Sequence, residues 1–105
     1  MHSERGALEE AQRCLERTLA IQETALGRDH PSLGATLTNL GAVHYKRGAL
    51  EEAQRCHERA LAIQETALGA RHGSTQGSAR WLRAVFQAQG GREGDIAMLD
   101  AKYGI

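Results

Sequence analysis

An all-α solenoid of stacked antiparallel helix pairs, about five helices in all, is the fold class that this sequence predicts. The first observation behind it is an internal copy. Residues 6–27, GALEEAQRCLERTLAIQETALG, return 42 residues later as residues 48–69, GALEEAQRCHERALAIQETALG, with only Leu15/His57 and Thr18/Ala60 changed. A unit recurring at a period of roughly 20–50 residues is one supersecondary piece, unable to bury its apolar face alone and stabilised by stacking on its neighbours. The second observation is spacing: Leu8, Ala11, Leu15, Leu19 and Leu26 are separated by steps of three, four and seven, the period of a helix face. The third is punctuation, with a glycine after the last periodic leucine of each copy (Gly27, Gly69).

The elements follow in order. Residues 7–26 form an amphipathic helix whose exposed side carries Glu9 and Arg13 four apart, and the copy repeats this with Glu51 and Arg55. Gly27 and Gly69 suit the left-handed conformation that closes a helix, so ends near 26 and 68 are expected. Between the copies, Asp29-His30-Pro31-Ser32 places a proline in a first helical turn. Leu33, Leu37, Leu40 and Val43 then carry a second stripe, predicting a helix over 32–47. In the next unit Gly73-Ser74 replaces Pro31-Ser32. Ser74 is the expected N-cap, and Leu82, Val85 and Phe86 carry the stripe to Gly90-Gly91. After Gly91 the repeat decays: Ile96, Met98, Leu99 and Tyr103 still mark an amphipathic helix, weakened by Gly94, with Ile105 in register with Ile63 and Ile21.

One helical-repeat domain therefore covers 1–105: a half repeat (1–27, second helix only), a full repeat (28–69) and a degenerate terminal repeat (70–105). The segment from Met1 to Arg5 matches only the end of a missing partner helix, at 44–47. The apolar face running from Ala7 to Leu26 is thus expected to lack intramolecular cover on one side. A second molecule covers such a face, or the chain is a fragment.

The bulk composition excludes several classes. Thirteen acids balance thirteen bases, with 41% hydrophobic and 25% charged residues, an ordinary globular balance. No run reaches the roughly 18 apolar residues of a spanning helix, and the first ten residues have no apolar core of a secretory signal, so a cytoplasmic protein without membrane contact is expected. Cys14 and Cys56 sit one period apart, too far for a bridge, and read as packing residues. Neighbouring helical residues point about 100° apart, so Cys56 and His57 cannot chelate one ion together. No metal-ligand spacing, phosphate loop or positioned nucleophile is present, so no cofactor, metal site or catalytic activity is expected. An aromatic content of 4% and few arginines argue against nucleic acid.

The run Asn39-Leu40-Gly41, then Tyr45, Gly48, Glu51-Glu52 with Ala53, and Ala60-Leu61, resembles the tetratricopeptide repeat. The 42-residue period and the Leu-Gly-Arg-Asp-His-Pro segment at 26–31 look like its kinesin light chain type. The resemblance spans roughly residues 6–90. It implies a right-handed superhelix with small residues, here Gly41 and Ala53, where helices cross. This chain departs from the pattern at His44 (an aromatic in the family), at His57 (a large residue) and at Arg83 (a glycine). The first helix of each pair is implied to line a concave, peptide-binding groove. Carried over, that face comprises Thr38, Asn39, Ala42, Tyr45 and Lys46, then Arg80, Trp81, Ala84 and Gln87, with Arg83 among the candidate contacts. Asn39 is the foremost, since its amide both donates and accepts to a peptide backbone.

Charge adds a preference. No acid occurs between His30 and Leu50 or between Ala70 and Arg92, whereas Lys46, Arg47, Arg71, Arg80, Arg83 and Arg92 fall in or at the edges of those windows. A mildly positive inner wall favours an acidic peptide or a free C-terminal carboxylate. The polar set of carboxylate-clamping relatives is incomplete, because Gly77 and Trp81 replace it in the third helical pair. Two functions are thus expected: a scaffold that holds a partner's peptide, and a repeat unit that homo-oligomerises through residues 7–26.

Overall fold

Five helices joined by short turns carry the chain in a computed structural model that describes residues 4–105. They are α1 (Glu4–Leu26), α2 (Leu33–Lys46), α3 (Leu50–Leu68), α4 (Gly73–Gln89) and α5 (Glu93–Tyr103). Met1, His2 and Ser3, part of the segment matched to a missing helix, lie outside the described residues. The molecule measures 42 × 33 × 19 Å. Its thinnest dimension is two helix diameters of about 10 Å, as expected of a two-layer stack. Each helix packs on the next, and α2 also touches α4, so α2 and α4 share one layer and α1, α3 and α5 the other.

The turns differ from expectation in chemistry more than in place. Gly69 closes α3 with φ 91° and ψ 158°, and Gly27 follows α1 with φ 92°. Positive φ with extended ψ at Gly69 is a glycine-only region, not the left-handed helical conformation the sequence suggested. Ser74 does not cap α4. His72 does: its Nδ1 accepts the Ser74 backbone N–H at 3.1 Å, and His30 repeats the contact with Ser32 at 3.1 Å. The imidazole reaches forward two residues and satisfies a donor that a helix start leaves orphaned.

Two apolar clusters hold the stack together. Leu33 and Leu37 of α2 pack on Ala60 and Ile63 of α3, with Leu19 of α1 against them. Leu61 of α3 meets Ala79, Leu82 and Phe86 of α4 and Leu99 and Tyr103 of α5, with Ile96 and Ile105 packed against the set. At the α2–α3 crossing Ala53 is fully buried, and Gly41 lies so close to α3 that a Cβ there would stand 2.5–2.9 Å from three atoms of the His57 ring. The large residue expected at 57 is supplied by that imidazole, 0% exposed.

Polar contacts repeat at the 42-residue period. Thr36 Oγ1 donates to Gln22 Oε1 at 2.7 Å, and one period on Ser78 Oγ donates to Gln64 Oε1. Arg47 bonds Gln12, and Gln89 bonds Gln54 at 2.9 Å. Glu23 takes Arg59 at 2.6 Å, while its counterpart Glu65 takes Lys102 at 3.2 Å and the Tyr103 hydroxyl at 2.7 Å. The expected pairing within the copied helices is replaced in part. Arg55 reaches Glu52 rather than Glu51, at 3.4 Å, and Glu9 spans to Arg47, the residue that caps the end of α2, at 3.6 Å.

Gly41→Ala is expected to cost about 1–3 kcal/mol through overpacking against His57. Gly77→Ala, where a Cβ meets nothing within 4 Å, should gain about 0.5–1 kcal/mol from its helix-interior position. Thermal melts of the two variants should therefore shift in opposite directions.

Candidate functional site

A shallow cavity of about 270 Å³ lies between α2 and α4. Ala35, Thr38 and Asn39 form one wall, and Ser74, Gly77, Ser78 and Trp81 the other. Gln64, from the last turns of α3, closes the floor. The helical period explains the walls: 35, 38, 39 and 42 share a face of α2, as 74, 77, 78 and 81 share a face of α4. Gly77 widens the cavity because it adds no side chain to the α4 wall.

The floor is a chain of polar groups with fewer protons than contacts. Thr38 Oγ1 donates to the Gly34 carbonyl at 2.9 Å and also lies 3.1 Å from Ser78 Oγ, which in turn donates to Gln64 Oε1. Two hydroxyl protons serve three contacts, so the Thr38 proton is shared between Gly34 and Ser78. Gln64 Oε1 is thereby engaged, and its amide N–H₂ has no acceptor among the described residues. Asn39 is exposed, and its side-chain amide makes no hydrogen bond among the described residues. The cavity thus presents two side-chain amides with unspent hydrogen-bonding capacity, one on the wall and one on the floor.

Trp81 closes one end. Its ring meets Tyr45 edge-on, with centroids 6.0 Å apart and planes at 74°. It also lies flat on His57, with centroids 5.6 Å apart and planes within 8°. Three helices contribute to this aromatic cluster: α2 through Tyr45, α3 through His57 and α4 through Trp81.

The sequence-selected residues separate into three groups. Thr38, Asn39 and Trp81 line the cavity. Ala42 and Tyr45 continue its α2 wall, with Lys46 exposed beyond them, while Ala84 is half-buried on α4 and Arg80 and Gln87 are exposed on its rim. Arg83 does not join them. It lies two residues past Trp81, about 200° around the helix, and pairs with Asp100 of α5 at 3.4 Å. The positive wall shrinks for the same reason: Arg47 is held by Glu9, Arg83 by Asp100, and Arg92 by Asp95 at 2.7 Å. Lys46, Arg71 and Arg80 form no ion pair among the described residues and carry what positive potential remains. Sequence reasoning missed Gln64 and Ser78. Their signal was the period itself, since Gln22 and Gln64 are identical and Thr36 and Ser78 are both hydroxyls.

A family model for the tetratricopeptide repeat matches residues 1–66, more than half of the chain. The chain belongs to the tetratricopeptide repeat family. No curated protein matches it. Tetratricopeptide repeats in general mediate protein–protein interactions and act as non-catalytic scaffolds. Among the described residues of this tetratricopeptide repeat chain, no helix is long and apolar enough to cross a membrane.

Burial sets the titration of its interior groups. Cys56 is a free thiol, and desolvation pushes its pKa up to about 11, so it stays protonated at neutral pH. Burial likewise lowers His44, with Glu52 and Glu16 opposing, and lowers His57 to about 4 with no charge opposing. A histidine with a depressed folded pKa stays neutral in the native state and takes up its proton on unfolding. Its contribution is complete above the unfolded value of 6.5 and is lost as pH falls toward 4. Urea midpoints should therefore drop between about pH 7 and pH 5 with a slope no steeper than about 1.4 kcal/mol per unit for this residue, and His57→Leu should flatten that dependence.

Proposed function

We propose that this chain is a non-catalytic interaction module that holds an extended peptide segment of a partner protein between α2 and α4. The observation that carries the reading is the pair of amides, Asn39 and Gln64, which both line the cavity with capacity to spare. A peptide backbone offers one donor and one acceptor per residue, and two amides at the wall and floor of a groove match that pattern without demanding a particular side chain. Trp81 adds an apolar surface at one end, and Arg80 and Lys46 on the rim favour acidic residues in the captured segment. The 42-residue period and the segment at 26–31 support a kinesin light chain-like subtype, with 1–105 acting as one repeat domain. A cytoplasmic setting suits two unbridged thiols, Cys14 and Cys56.

Screening an array of extended acidic and basic peptides, then titrating the hits calorimetrically, tests this reading. Asn39→Ala should weaken binding about 5–10-fold, the value of one backbone hydrogen bond near 1 kcal/mol, without moving the thermal melt. Arg80→Glu should selectively weaken acidic peptides and reverse the salt dependence of binding. Unchanged binding in both variants would remove the groove from the function.

A second reading, self-association, is favoured by one specific contrast. Ile63 is 5% exposed, whereas Ile21, the same residue in the first copy, is 61% exposed. Ile21 sits beside Ala20, Thr24 and Ala25 in a shallow apolar depression on the outer side of α1. If that face joins copies, light scattering should show a larger species that Ile21→Lys reduces to a monomer of unchanged thermal stability. A wild-type monomer across a hundredfold concentration range would dismiss the reading.

A further inference from the structure

Trp81 belongs to both the groove and the interior, and what it rests on inside is a titratable ring. His57 is wholly buried, and neither Nδ1 nor Nε2 has a hydrogen-bond partner. Its face lies on the Trp81 indole at 5.6 Å, and Nε2 would stand 2.5 Å from a Cβ on Gly41. The first copy has Leu15 at this position, so a polar ring here is not a demand of the repeat.

A second ring proton would make a buried cation whose two N–H groups meet no acceptor. The surroundings offer no counter-charge. On α2 the nearby titratable groups are His44 and Tyr45, one turn beyond Gly41. On α4, Arg80 and Arg83 flank Trp81, with Arg83 already taken by Asp100. On α3 itself, Cys56 is a neutral thiol, Glu58 accepts from Gln54, and Arg59 is held by Glu23. Cation–π attraction to the indole returns at most about 2 kcal/mol. That does not replace the lost hydration of an ion. Relief requires water to reach the ring. Gly41 is part of a helix backbone and cannot yield, whereas the half-buried indole, bordering the groove, can rotate away.

We propose that His57 is a positioning residue for the groove: neutral, it holds Trp81 in the groove wall, and protonated, it expels the indole and dismantles that wall. The groove then has two states selected by acidity, one shaped for a peptide and one not. The proposal rests on reading the space between α2 and α4 as the binding surface, but its test uses no peptide, so the two fail separately. The lowered pKa of about 4 reflects burial alone and places the change in mildly to strongly acidic solution.

Trp81 is the chain's only tryptophan, so its emission reports on this one ring. Acrylamide quenching of that emission should be followed from about pH 7.5 to about pH 3, alongside far-UV circular dichroism. The expected result is a roughly twofold rise in quenching at a pH where helix content is unchanged. The transition should be absent in His57→Leu, which restores the first copy's residue, and retained in His44→Phe. In the wild type, the His57 ring proton and the Trp81 indole N–H should titrate with one midpoint by NMR, a measurement that holds even if the leucine variant folds poorly. The proposal is overturned by a quenching transition that survives His57→Leu, by one that coincides with loss of helix, by separate NMR midpoints, or by no transition. If Trp81 titrates as expected but no peptide binds, the groove reading fails and the coupling stands.

Discussion

The close crossing of α2 over α3 at Gly41 and His57 is the constraint from which the rest of the arrangement follows. With no side chain on Gly41, the α2 backbone descends onto the imidazole, and Ala53 admits the same approach one turn earlier on α3. That approach brings Leu33 and Leu37 onto Ala60 and Ile63, fixing the first core cluster. It also sets the height of Thr38 and Asn39 relative to Gln64, so the groove floor depends on it. The imidazole that fills the crossing extends beneath α4 and supports Trp81. One glycine thus couples core packing to the shape of the exposed groove. The coupling is steric, and packed interiors transmit small displacements because they contain little free volume.

Apolar contact alone does not set the register of such a stack, since hydrophobic attraction is non-directional and neighbouring turns of a helix are nearly equivalent surfaces. The polar ladder does. Gln22 with Thr36 and Gln64 with Ser78 join the end of one second-type helix to the start of the following first-type helix. Glu23 with Arg59 and Glu65 with Lys102 join successive helices of the other layer. Each bond adds about 1 kcal/mol or less where it is partly solvated, yet a slip of one turn would break the whole set together. The last rung is altered: α5 has no arginine to match Arg59 and uses Lys102 and the Tyr103 hydroxyl instead. This explains how a helix of only 11 residues, with Gly94 in its first turn, stays attached. Tyr103 and Leu99 are buried against Leu61, and the Glu65 contact closes over them.

Helix positions were legible because a duplicated sequence makes each apolar stripe visible twice and glycine marks both ends. Thr38, Asn39 and Trp81, which the family resemblance assigns to one wall, do line a common cavity. Three features were not legible. Gln64 lies on a helix assigned to the other layer, and only the angle between layers brings its end under the groove. Arg83 is among the candidate groove contacts, but it stands about 200° round the helix from Trp81, on the side where α5 supplies Asp100. The capping role of His72, and the matching turn contact of His30, depend on a conformation that aims Nδ1 at an amide two residues on. Composition cannot show that. Each omission concerns an approach between elements rather than the identity of an element, and such approaches are set by tertiary packing, not by local period.

The duplicated helix is also a controlled comparison. Twenty of 22 residues are common to the two copies, yet α3 buries Ala53, Ala60, Leu61 and Ile63, whereas α1 has no fully buried residue among those described. Ile21 and Ile63 share the same chemistry and the same helical phase, and differ only in what stands opposite. Burying an isoleucine side chain stabilises by about 1.5–3 kcal/mol, so the same residue is a core anchor in one copy and contributes little in the other. An apolar stripe therefore states what a helix can bury, and the array states what it does bury. Where α3 carries Ala60, α1 carries Thr18, whose hydroxyl is satisfied by the Cys14 carbonyl at 2.9 Å. That internal bond lets the face tolerate water without forbidding cover, because the hydroxyl needs no outside partner in either state. Of the two changes between the copies, Thr18 for Ala60 keeps its hydroxyl bonded within α1, and Leu15 to His57 equips α3 for the crossing under Gly41.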